Sequence, residues 1–479
     1  SGDFATSGNI LTLSGANATL NGGSHDITVS NTQTFINGTW TNGSLTKKGA
    51  GDLVVAGTLD LTTLEIAENT VSFTGPNPTT ATTALNLSGA TAQLNFDQTA
   101  LTTVQVASLT GVAGSSINLG DDGSTLSIEG SDTTTFSGTI TNVDGQLRYA
   151  GSGQQTLAGA NTYTGDTIVD ASATGTLSIT GSVAGDVILM DGVGASDPTL
   201  ELGDDPMATG TTLTIQGSNL AAATNAATLG SDVNIVVEND FAFAGTNSMT
   251  IAGPVDLNAE NQVLTVNEGA TVLTLSGIVS NGGLAKSGAG QINLIGTNTF
   301  ANGFTLNAGT VGIGNDAALG SGTFVINGGT VTALGNGAIT NAVVVANDFA
   351  VTGDSTASFG SSVDLSGASR TVTVTGAGVT TFQDITNGDL VKTGAGEVTL
   401  AGTNDLTTGL TVNAGTVNLG SAAALNAGDN LTINDGTVNI MSGLTVADLS
   451  GTGGILNLGG GTLTFGDDTD ATLASTITG

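Results

Sequence analysis

Clustered carboxylates are the residues of this chain whose types and spacing first suggest chemistry. Three acidic runs stand at glycine-rich turns, in the segments GDDGS, GDDP and GDDTD. Calcium prefers clustered carboxylate and carbonyl oxygens at turns. The alternative is that these acids are solvated turn residues that bind no ligand. The calcium-binding nonapeptide repeat is absent. Calcium is therefore the single cofactor that we consider, at Asp121, Asp122, Asp204, Asp205, Asp467, Asp468 and Asp470.

Two other short motifs have the residue types of a reactive site but not its context. Ser24, His25 and Asp26 spell a hydrolase triad, yet adjacent strand residues point to opposite faces and cannot align as nucleophile, base and orienting group. We expect a surface turn there. The Gly-Ala-Gly at 288–290 could begin a phosphate-binding loop, but strand-like residues follow it where a helix would be needed. We predict a structural turn and no nucleotide site.

The basic residues argue against a polysaccharide-cleaving enzyme, a class of protein that includes parallel β-helices. Lyases that neutralise uronates need Arg or Lys beside their acids. Five of the six bases instead stand just before four Gly-x-Gly turns, namely Lys47, Lys48, Arg148, Lys286 and Lys392. Repetition at equivalent positions favours ion pairs within a scaffold. A hydrolase needs only a carboxylate pair, so such an enzyme is the weakest alternative, and we predict no catalytic residue.

Charge and composition limit the class of protein and its partners. Forty acids against six bases give a formal net charge of −34, which disfavours nucleic acid and anionic membranes because phosphate contacts need Lys and Arg. No apolar run is long enough to span a bilayer, and the start Ser-Gly-Asp without Met suggests a processed product. The chain has no cysteine, so it has no disulfide. With 74 glycines and 10% charged residues, the composition is typical of an all-β protein with many turns.

The chain repeats itself at two scales. LAKSGAGQINLIGTN from Leu284 returns as LVKTGAGEVTLAGTN from Leu390, and weaker copies begin at Leu45 and Leu147. Within one block, Asn-Ala-Gly-Thr-Val at Asn307 returns as Asn-Gly-Gly-Thr-Val at Asn327. We predict one continuous solenoid of four blocks, approximately 1–82, 83–230, 231–338 and 339–479, with interruptions at 74–82 and 183–207.

A pitch of about 20–21 residues per coil, with short alternating strands between Gly and Asn turns, predicts an all-β fold of stacked repeats. The architecture that we expect is a right-handed parallel β-helix, or β-solenoid. One coil cannot bury its apolar face alone, so coils stack and share a continuous core. Stacked Asn side chains at the turns can form hydrogen-bonded ladders. A propeller fits less well, because its blades repeat at about 40–50 residues with Trp-Asp or similar signatures.

Two segments carry a resemblance to a known family. GSGQQTLAGANTYTGDTIV (151–169) and GAGEVTLAGTNDLTTGLTVNAGTV (394–417) resemble the passenger-associated repeat of bacterial autotransporters. Gly-Ala-Gly, Leu-x-Gly-x-Asn and Asn-Ala-Gly-Thr-Val occur in order, and the similarity covers most of the chain. The resemblance implies a secreted β-helix exposed at the surface of a bacterium.

Two functions from different classes fit these features. The first is an extracellular structural subunit that stacks head to tail into a filament, a matrix or a surface layer. The alternative is an autotransporter-type adhesin passenger that binds a host or neighbouring-cell surface, with a surface glycan as one candidate partner. Only two tyrosines and one tryptophan are present, so aromatic binding hot spots are scarce. This scarcity favours the structural subunit.

The two ends of the chain suggest how copies would join. The last residues, TLASTITG (472–479), match TFQDITNG (381–388), which leads into a Gly-x-Gly turn, and SGDFATSGNILTLSGAN (1–17) looks like that continuation. We expect the N-terminal segment of one copy to complete the C-terminal coil of the next, a contact that does not close and so gives filaments. The expected contact residues are Phe4, Gly8, Ile10, Leu11, Leu13, Leu473, Ile477 and Gly479.

Overall fold

Strands, most of them short, and tight turns make up the described structure. The computed structural model describes residues 4–6, 10–19, 23–76, 78–97, 103–120, 123–192, 197–335, 337–466 and 472–479. These residues form no helix, and so none that is long and apolar enough to cross a membrane. The chain divides into two compact units, Ser1–Gly253 and Pro254–Gly479.

The first unit contains the strands β1 to β29. They are β1 (Phe4–Thr6), β2 (Ile10–Thr19), β3 (Ser24–Val29), β4 (Gln33–Thr41), β5 (Ser44–Lys48), β6 (Asp52–Val55), β7 (Thr58–Asp60), β8 (Thr63–Ile66), β9 (Thr70–Phe73), β10 (Ala84–Leu87), β11 (Gln93–Phe96), β12 (Thr103–Val106), β13 (Ser108–Gly111), β14 (Ser116–Asn118), β15 (Thr125–Ile128), β16 (Thr133–Phe136), β17 (Thr139–Thr141), β18 (Gln146–Tyr149), β19 (Gln154–Leu157), β20 (Thr167–Val169), β21 (Thr176–Ile179), β22 (Val187–Leu189), β23 (Thr199–Leu202), β24 (Thr212–Ile215), β25 (Asn219–Ala222), β26 (Ala227–Leu229), β27 (Asn234–Val237), β28 (Phe241–Ala244) and β29 (Met249–Ile251).

The second unit contains the strands β30 to β54. They are β30 (Val255–Asp256), β31 (Asn261–Val266), β32 (Val272–Leu275), β33 (Val279–Ser280), β34 (Gly283–Ser287), β35 (Gln291–Leu294), β36 (Phe304–Leu306), β37 (Thr310–Ile313), β38 (Phe324–Ile326), β39 (Thr330–Ala333), β40 (Ala338–Ile339), β41 (Val343–Val345), β42 (Phe349–Thr352), β43 (Ala357–Val374), β44 (Val379–Thr393), β45 (Glu397–Leu400), β46 (Gly409–Val412), β47 (Thr416–Leu419), β48 (Asn430–Ile433), β49 (Thr437–Ile440), β50 (Leu444–Thr445), β51 (Leu449–Ser450), β52 (Ile455–Asn457), β53 (Leu463–Thr464) and β54 (Thr476–Thr478).

Alternation of polar and apolar residues determines which side of each strand is buried. In β47, Val417 and Leu419 are fully buried, whereas Thr416 and Asn418 face outward and are half-buried. Successive strand side chains point to opposite faces, so the apolar residues form the core of the coil and the hydroxyl and amide groups meet water. This explains how the chain is solvated with few charged residues.

Parallel pairing between coils gives the structure its period. Thr416 lies opposite Glu397 in the coil before it and opposite Thr437 in the coil after it. In the first unit, Thr176 lies between Gln154 and Thr199 in the same way. The predicted all-β solenoid, with coils of about 21 residues, is thus confirmed. Its right-handed winding stays a prediction.

Like side chains stack on one another inside the core. The rings of Phe304 and Phe324, at the same position of successive coils, have their centroids 5.7 Å apart. Phe359 and Phe382 stack with centroids 4.7 Å apart. Tilted and offset ring pairs at such distances add to the stabilisation from burial alone. The repeated sequence therefore places equal volumes above one another along the core of each unit.

The predicted block boundaries and the single continuous solenoid stay predictions. The predicted interruption at 74–82 lies between β9 and β10 and forms no strand in its described part. The interruption at 183–207 contains β22 and β23, and both strands pair with a strand before and a strand after them. Part of that segment therefore belongs to the parallel ladder.

The glycine of Leu-x-Gly-x-Asn lies where one coil approaches the next too closely for a side chain. A Cβ at Gly402 would lie 1.6 Å from the carbonyl oxygen of Gln383, and one at Gly159 would lie 1.7 Å from that of Gly138. Both neighbours are backbone atoms of the preceding coil, which cannot rotate away as a flexible side chain could. These positions require glycine for space.

Replacing this glycine tests the close approach. We expect Gly402→Ala to lower the free energy of unfolding by about 2 kcal/mol, because two coils must separate to admit the methyl group. Gly428→Ala is the matched control in the same unit, since nothing lies within 4 Å of a Cβ there. Urea unfolding of both variants measures the difference, and equal stabilities would contradict the steric explanation.

Candidate functional site

The acidic runs that suggested calcium fall mostly outside the described residues. This is the case for Asp121, Asp122, Asp467, Asp468 and Asp470. Asp204 and Asp205 are described and exposed, and Asp204 Oδ1 accepts a hydrogen bond from the backbone N–H of Thr228 at 3.0 Å. In the part of the chain that the structure describes, no three His, Cys, Asp or Glu side chains are grouped to hold a metal. Calcium binding stays a prediction.

The Ser-His-Asp run lies in a strand, so the predicted surface turn was wrong. Ser24, His25 and Asp26 begin β3, where Ser24 is exposed, His25 is buried and Asp26 is half-buried. The alternation places His25 on the face opposite to its two neighbours, as expected for a strand. Asp26 forms an ion pair with Lys48. The three side chains therefore do not form a triad.

The basic residues before the Gly-x-Gly turns divide into two kinds. Lys48 pairs with Asp26, and Arg148 pairs with Asp170 at 2.9 Å and with Glu129 at 3.5 Å, as scaffold ion pairs should. Three lysines instead have no accessible surface, which the ion-pair prediction missed. They are Lys47, Lys286 and Lys392.

Each buried ammonium group binds backbone carbonyls of two successive coils. Lys286 Nζ donates to the carbonyl oxygens of Ser287 at 2.6 Å and Gly288 at 2.9 Å, and to that of Ala308 in the next coil at 3.2 Å. Lys392 repeats this geometry with Thr393, Gly394 and Ala414, at 2.9, 2.7 and 3.0 Å. We call this arrangement the lysine clamp.

The clamp in the first unit has the same form. Lys47 Nζ donates to the carbonyl oxygens of Gly49 and of Glu68, which lies in the next coil, both at 2.7 Å. A buried cation is costly unless its donors are satisfied. The clamp satisfies these donors with carbonyls of the turn between two strands of a coil. We call this turn the corner, and its carbonyls lie outside the strand ladder.

Strand alternation places the lysine inside the core. Leu284 and Lys286 stand at alternate positions of β34 and are both buried. The aliphatic stem therefore packs in the core, and the head reaches the corner at the following Gly-x-Gly. Gly309, in the next coil, has a φ of +72° and leaves no room for a Cβ, which would lie 2.8 Å from Lys286 Nζ. The glycine of Asn-Ala-Gly-Thr-Val is thus part of the clamp.

Burial weakens the basicity of the clamp lysines. Loss of solvation lowers the pKa of Lys286 and of Lys392 to about 8. Burial also lowers the pKa of Lys47 to about 8, against the opposing charges of Asp52 and Glu68.

Tyrosine replaces the lysine in the repeat that begins at Leu147. The hydroxyl of the buried Tyr149 donates to the carbonyl oxygen of Gly153 at 2.6 Å, and burial raises its pKa to about 12. A long side chain with a terminal donor can thus bind a carbonyl of this turn without a positive charge.

The asparagine of Leu-x-Gly-x-Asn joins three coils. Asn404 is fully buried, its Oδ1 accepts from the backbone N–H of Ile385 at 2.9 Å, and its Nδ2 donates to the carbonyl of Ala424 at 2.9 Å. Asn298 makes the equivalent bonds to Val279 at 2.8 Å and Ala318 at 2.6 Å. The side-chain amide of each asparagine therefore accepts from the backbone of the preceding coil and donates to the backbone of the following coil.

Exposed asparagines at the corners form the predicted ladders. Asn327 Nδ2 donates to Asn307 Oδ1 at 2.9 Å, and Asn434 Nδ2 donates to Asn413 Oδ1 at 2.9 Å. Within the strands, the half-buried Asn439 and Asn418 are joined in the same way at 2.7 Å. The prediction of hydrogen-bonded Asn stacks is confirmed.

Exposed aromatic side chains are scarce on the described surface. Trp40, Tyr149 and Tyr163 are buried, and among the described side chains Phe465 is the exposed aromatic residue. Two open depressions have volumes of about 470 and 350 Å³. Each contains one carboxylate, from Asp316 and Asp60 respectively, so neither offers the carboxylate pair of a glycosidase.

The residues expected at a head-to-tail contact are only partly described. Leu13 and Leu473 are half-buried, and Ile477 and Gly479 are exposed. For the remainder no side chain is described, namely Phe4, Gly8, Ile10 and Leu11. The contact between copies stays a prediction.

Comparison with known proteins identifies the repeat. A family model described as passenger-associated-transport-repeat matches residues 147–179, 284–313 and 390–419. The first match contains Tyr149, and the other two contain the clamp lysines Lys286 and Lys392. The chain thus carries passenger-associated transport repeats, and the predicted resemblance is confirmed.

A curated relative supports the same assignment. The chain is 27% identical over 285 residues to Adhesin BmaC autotransporter of Brucella suis biovar 1 (strain 1330). The alignment covers 58% of this chain and 7% of the adhesin. No solved structure matches the chain significantly.

Removing the buried ammonium group tests the lysine clamp. We expect Lys47→Met to lower the free energy of unfolding by about 2 kcal/mol, because the carbonyls of Gly49 and Glu68 lose their donor while the volume is kept. The neighbouring Lys48→Met is the control, and it should cost at most about 1 kcal/mol because Lys48 is half-exposed. Equal losses in urea unfolding would show that the carbonyl contacts do not matter.

Because the pKa of Lys286 is lowered in the folded chain, the stability that this residue contributes should depend on pH. Between about pH 8 and 10.5 the folded chain has released the Lys286 proton and the unfolded chain still binds it. Stability attributable to this residue should therefore rise with pH in that window, by up to about 1.4 kcal/mol per pH unit. The loss caused by Lys286→Met should be larger at pH 10 than at pH 7. A loss that is constant or falls with pH would contradict the assignment.

Proposed function

We propose that the chain is part of the passenger of a bacterial autotransporter, exposed outside the cell, where it acts in adhesion without catalysing a reaction. The observation that carries this proposal is the set of three passenger-associated transport repeats. The alignment with Adhesin BmaC autotransporter supports adhesion over a purely structural role. The chain spans only 7% of that protein, so the binding target of the relative is not assigned to this chain.

The structure of each unit supports a role as a protease-resistant scaffold or contact surface. Lysine clamps and buried asparagines tie several coils to their neighbours through hydrogen bonds to backbone groups. Local opening is disfavoured where buried hydrogen bonds and apolar contacts are dense. A solenoid of this kind can hold a binding surface away from the cell and keep its shape.

The charge on the surface indicates the kind of partner. Three of the six basic residues are buried as clamps, so the net charge of −34 is carried by a surface with even fewer cations. An anionic target would be repelled at low ionic strength. We therefore propose a neutral or basic component of a host or neighbouring-cell surface as the partner, with neutral glycan and basic protein as the two cases to separate.

Surface display tests adhesion directly. A non-adherent laboratory bacterium that displays residues 1–479 should attach to cultured host cells several-fold more than one that displays an unrelated β-solenoid of similar length and charge. The purified chain should compete for attachment in solution, which a nonspecific effect of charge would not explain. Attachment equal to the control would refute the adhesin proposal.

Electron microscopy of the purified chain separates adhesion from self-assembly. Head-to-tail stacking predicts long fibres, and an adhesin passenger without self-assembly predicts separate particles. Fibres together with failed attachment would favour the structural subunit. Separate particles that compete for attachment would favour the adhesin alone.

A further inference from the structure

The peptide bond between Asp205 and Pro206 combines a reactive dipeptide with an unfavourable backbone. Asp205 has a φ of +48°, in the left-handed region that residues other than glycine seldom adopt. It also precedes proline, whose ring drives the preceding residue toward extended backbone. Asp205 is exposed and Pro206 is buried. The φ of Asp205 thus conflicts with both preferences.

Hydrogen bonds to two different coils hold this conformation in place. The backbone N–H of Asp205 donates to the carbonyl of Thr228 in the following coil at 2.7 Å, and the carbonyl of Pro206 accepts from Val183 in the preceding coil at 2.9 Å. Thr228 also donates its N–H to Asp204. A strained backbone persists only where its surroundings fix it on both sides, and here they do.

We propose that Asp205–Pro206 is a self-cleavage site that acid activates. A carboxylate oxygen of Asp205 attacks its own backbone carbonyl carbon, and the C–N bond to Pro206 breaks. The proline nitrogen takes a proton from solvent and leaves as a secondary amine. The product is a five-membered cyclic anhydride at Asp205, which water opens to two carboxyl groups. The sum is the addition of one water molecule across the peptide bond.

Backbone geometry should favour this bond over chemically equal ones. Breaking the bond to Pro206 releases the restraint on φ of Asp205, so strain in the folded chain is lost on the way to products. The leaving nitrogen belongs to a tertiary amide, which protonation turns into a good leaving group. Because the reaction needs a proton on nitrogen and an ionised carboxylate, it should proceed in mildly acidic solution and stop at neutral pH.

Cleavage would nick the solenoid without taking it apart. The new C-terminus at Asp205 stays bonded to Thr228, and the new N-terminus at Pro206 stays bonded to Val183. Strand pairing also joins the two fragments across the nick, since β22 pairs with β24, and β23 with β25. The two fragments should therefore migrate together until they are denatured.

A second Asp-Pro bond in the same unit provides the reference. Asp197–Pro198 has the same covalent chemistry and lies directly before β23. The full chain is incubated in mildly acidic buffer above its isoelectric pH of about 4.1, so that it stays anionic and soluble. Mass spectrometry under denaturing conditions then measures the fragments 1–205 and 206–479 against the fragments 1–197 and 198–479.

The expected result is a rate at Asp205–Pro206 about tenfold or more above that at Asp197–Pro198 in the folded chain. In urea at the same pH the two rates should become equal within about twofold, because the backbone restraint is gone. Equal rates in the folded chain, or an unchanged ratio in urea, would overturn the role of backbone geometry. Absence of cleavage at both bonds would overturn the proposal as a whole.

Two variants test the attacking group. Asp205→Glu keeps the charge at an exposed position but would have to close a six-membered ring, and Asp205→Gly accepts the left-handed φ without a carboxylate. Both should remain intact under conditions that cleave the wild-type chain. Their melting temperatures confirm that the fold is kept. Cleavage of either variant at the wild-type rate would exclude attack by the Asp205 side chain.

Discussion

Backbone hydrogen bonding between successive coils is the constraint on which the rest of this structure depends. Each strand finds its partners one coil away, so every corner leaves carbonyl and N–H groups that the ladder does not reach. The clamp lysines, Tyr149 and the buried asparagines all serve those groups. Removing one of these donors would leave the carbonyls that it binds without a partner, at a cost in stability. The next coil has an apolar residue at the lysine position, since Leu306 lies opposite Lys286 and Val412 opposite Lys392.

The small residues follow from the same constraint. Coils that share backbone hydrogen bonds approach so closely at the corners that Gly402 and Gly159 have a carbonyl oxygen where a Cβ would be. Gly309 must in addition leave room for the ammonium group of Lys286. The Gly-Ala-Gly and Asn-Ala-Gly-Thr-Val segments therefore meet at one corner in successive coils, and Leu-x-Gly-x-Asn forms the corner after the next strand.

Periodicity was enough to predict the strands, the parallel stacking and the Asn ladders, because each depends on residues that recur at one coil length. The buried lysines were missed because their type suggested ion pairs. A signal for burial was nevertheless present, since Leu284 and Lys286 stand two apart in one strand and must share a face. The strand at Ser24 was missed for the opposite reason, because a single polar run has no repeated partner to reveal it.

In this molecule, one set of groups holds the coils together and a different set contacts the solvent. The coils are held by backbone pairs, apolar stacks and buried neutral or clamped donors, whereas Thr, Asn and acidic side chains meet the solvent. Because the cations are used for clamps and a few ion pairs, self-repulsion among the acids is countered by contacts that salt does not screen. Ionic strength should then act mainly on what the surface binds, and little on whether the coils stay together. Such a division suits a protein that must keep its shape outside the cell while its contacts respond to the medium.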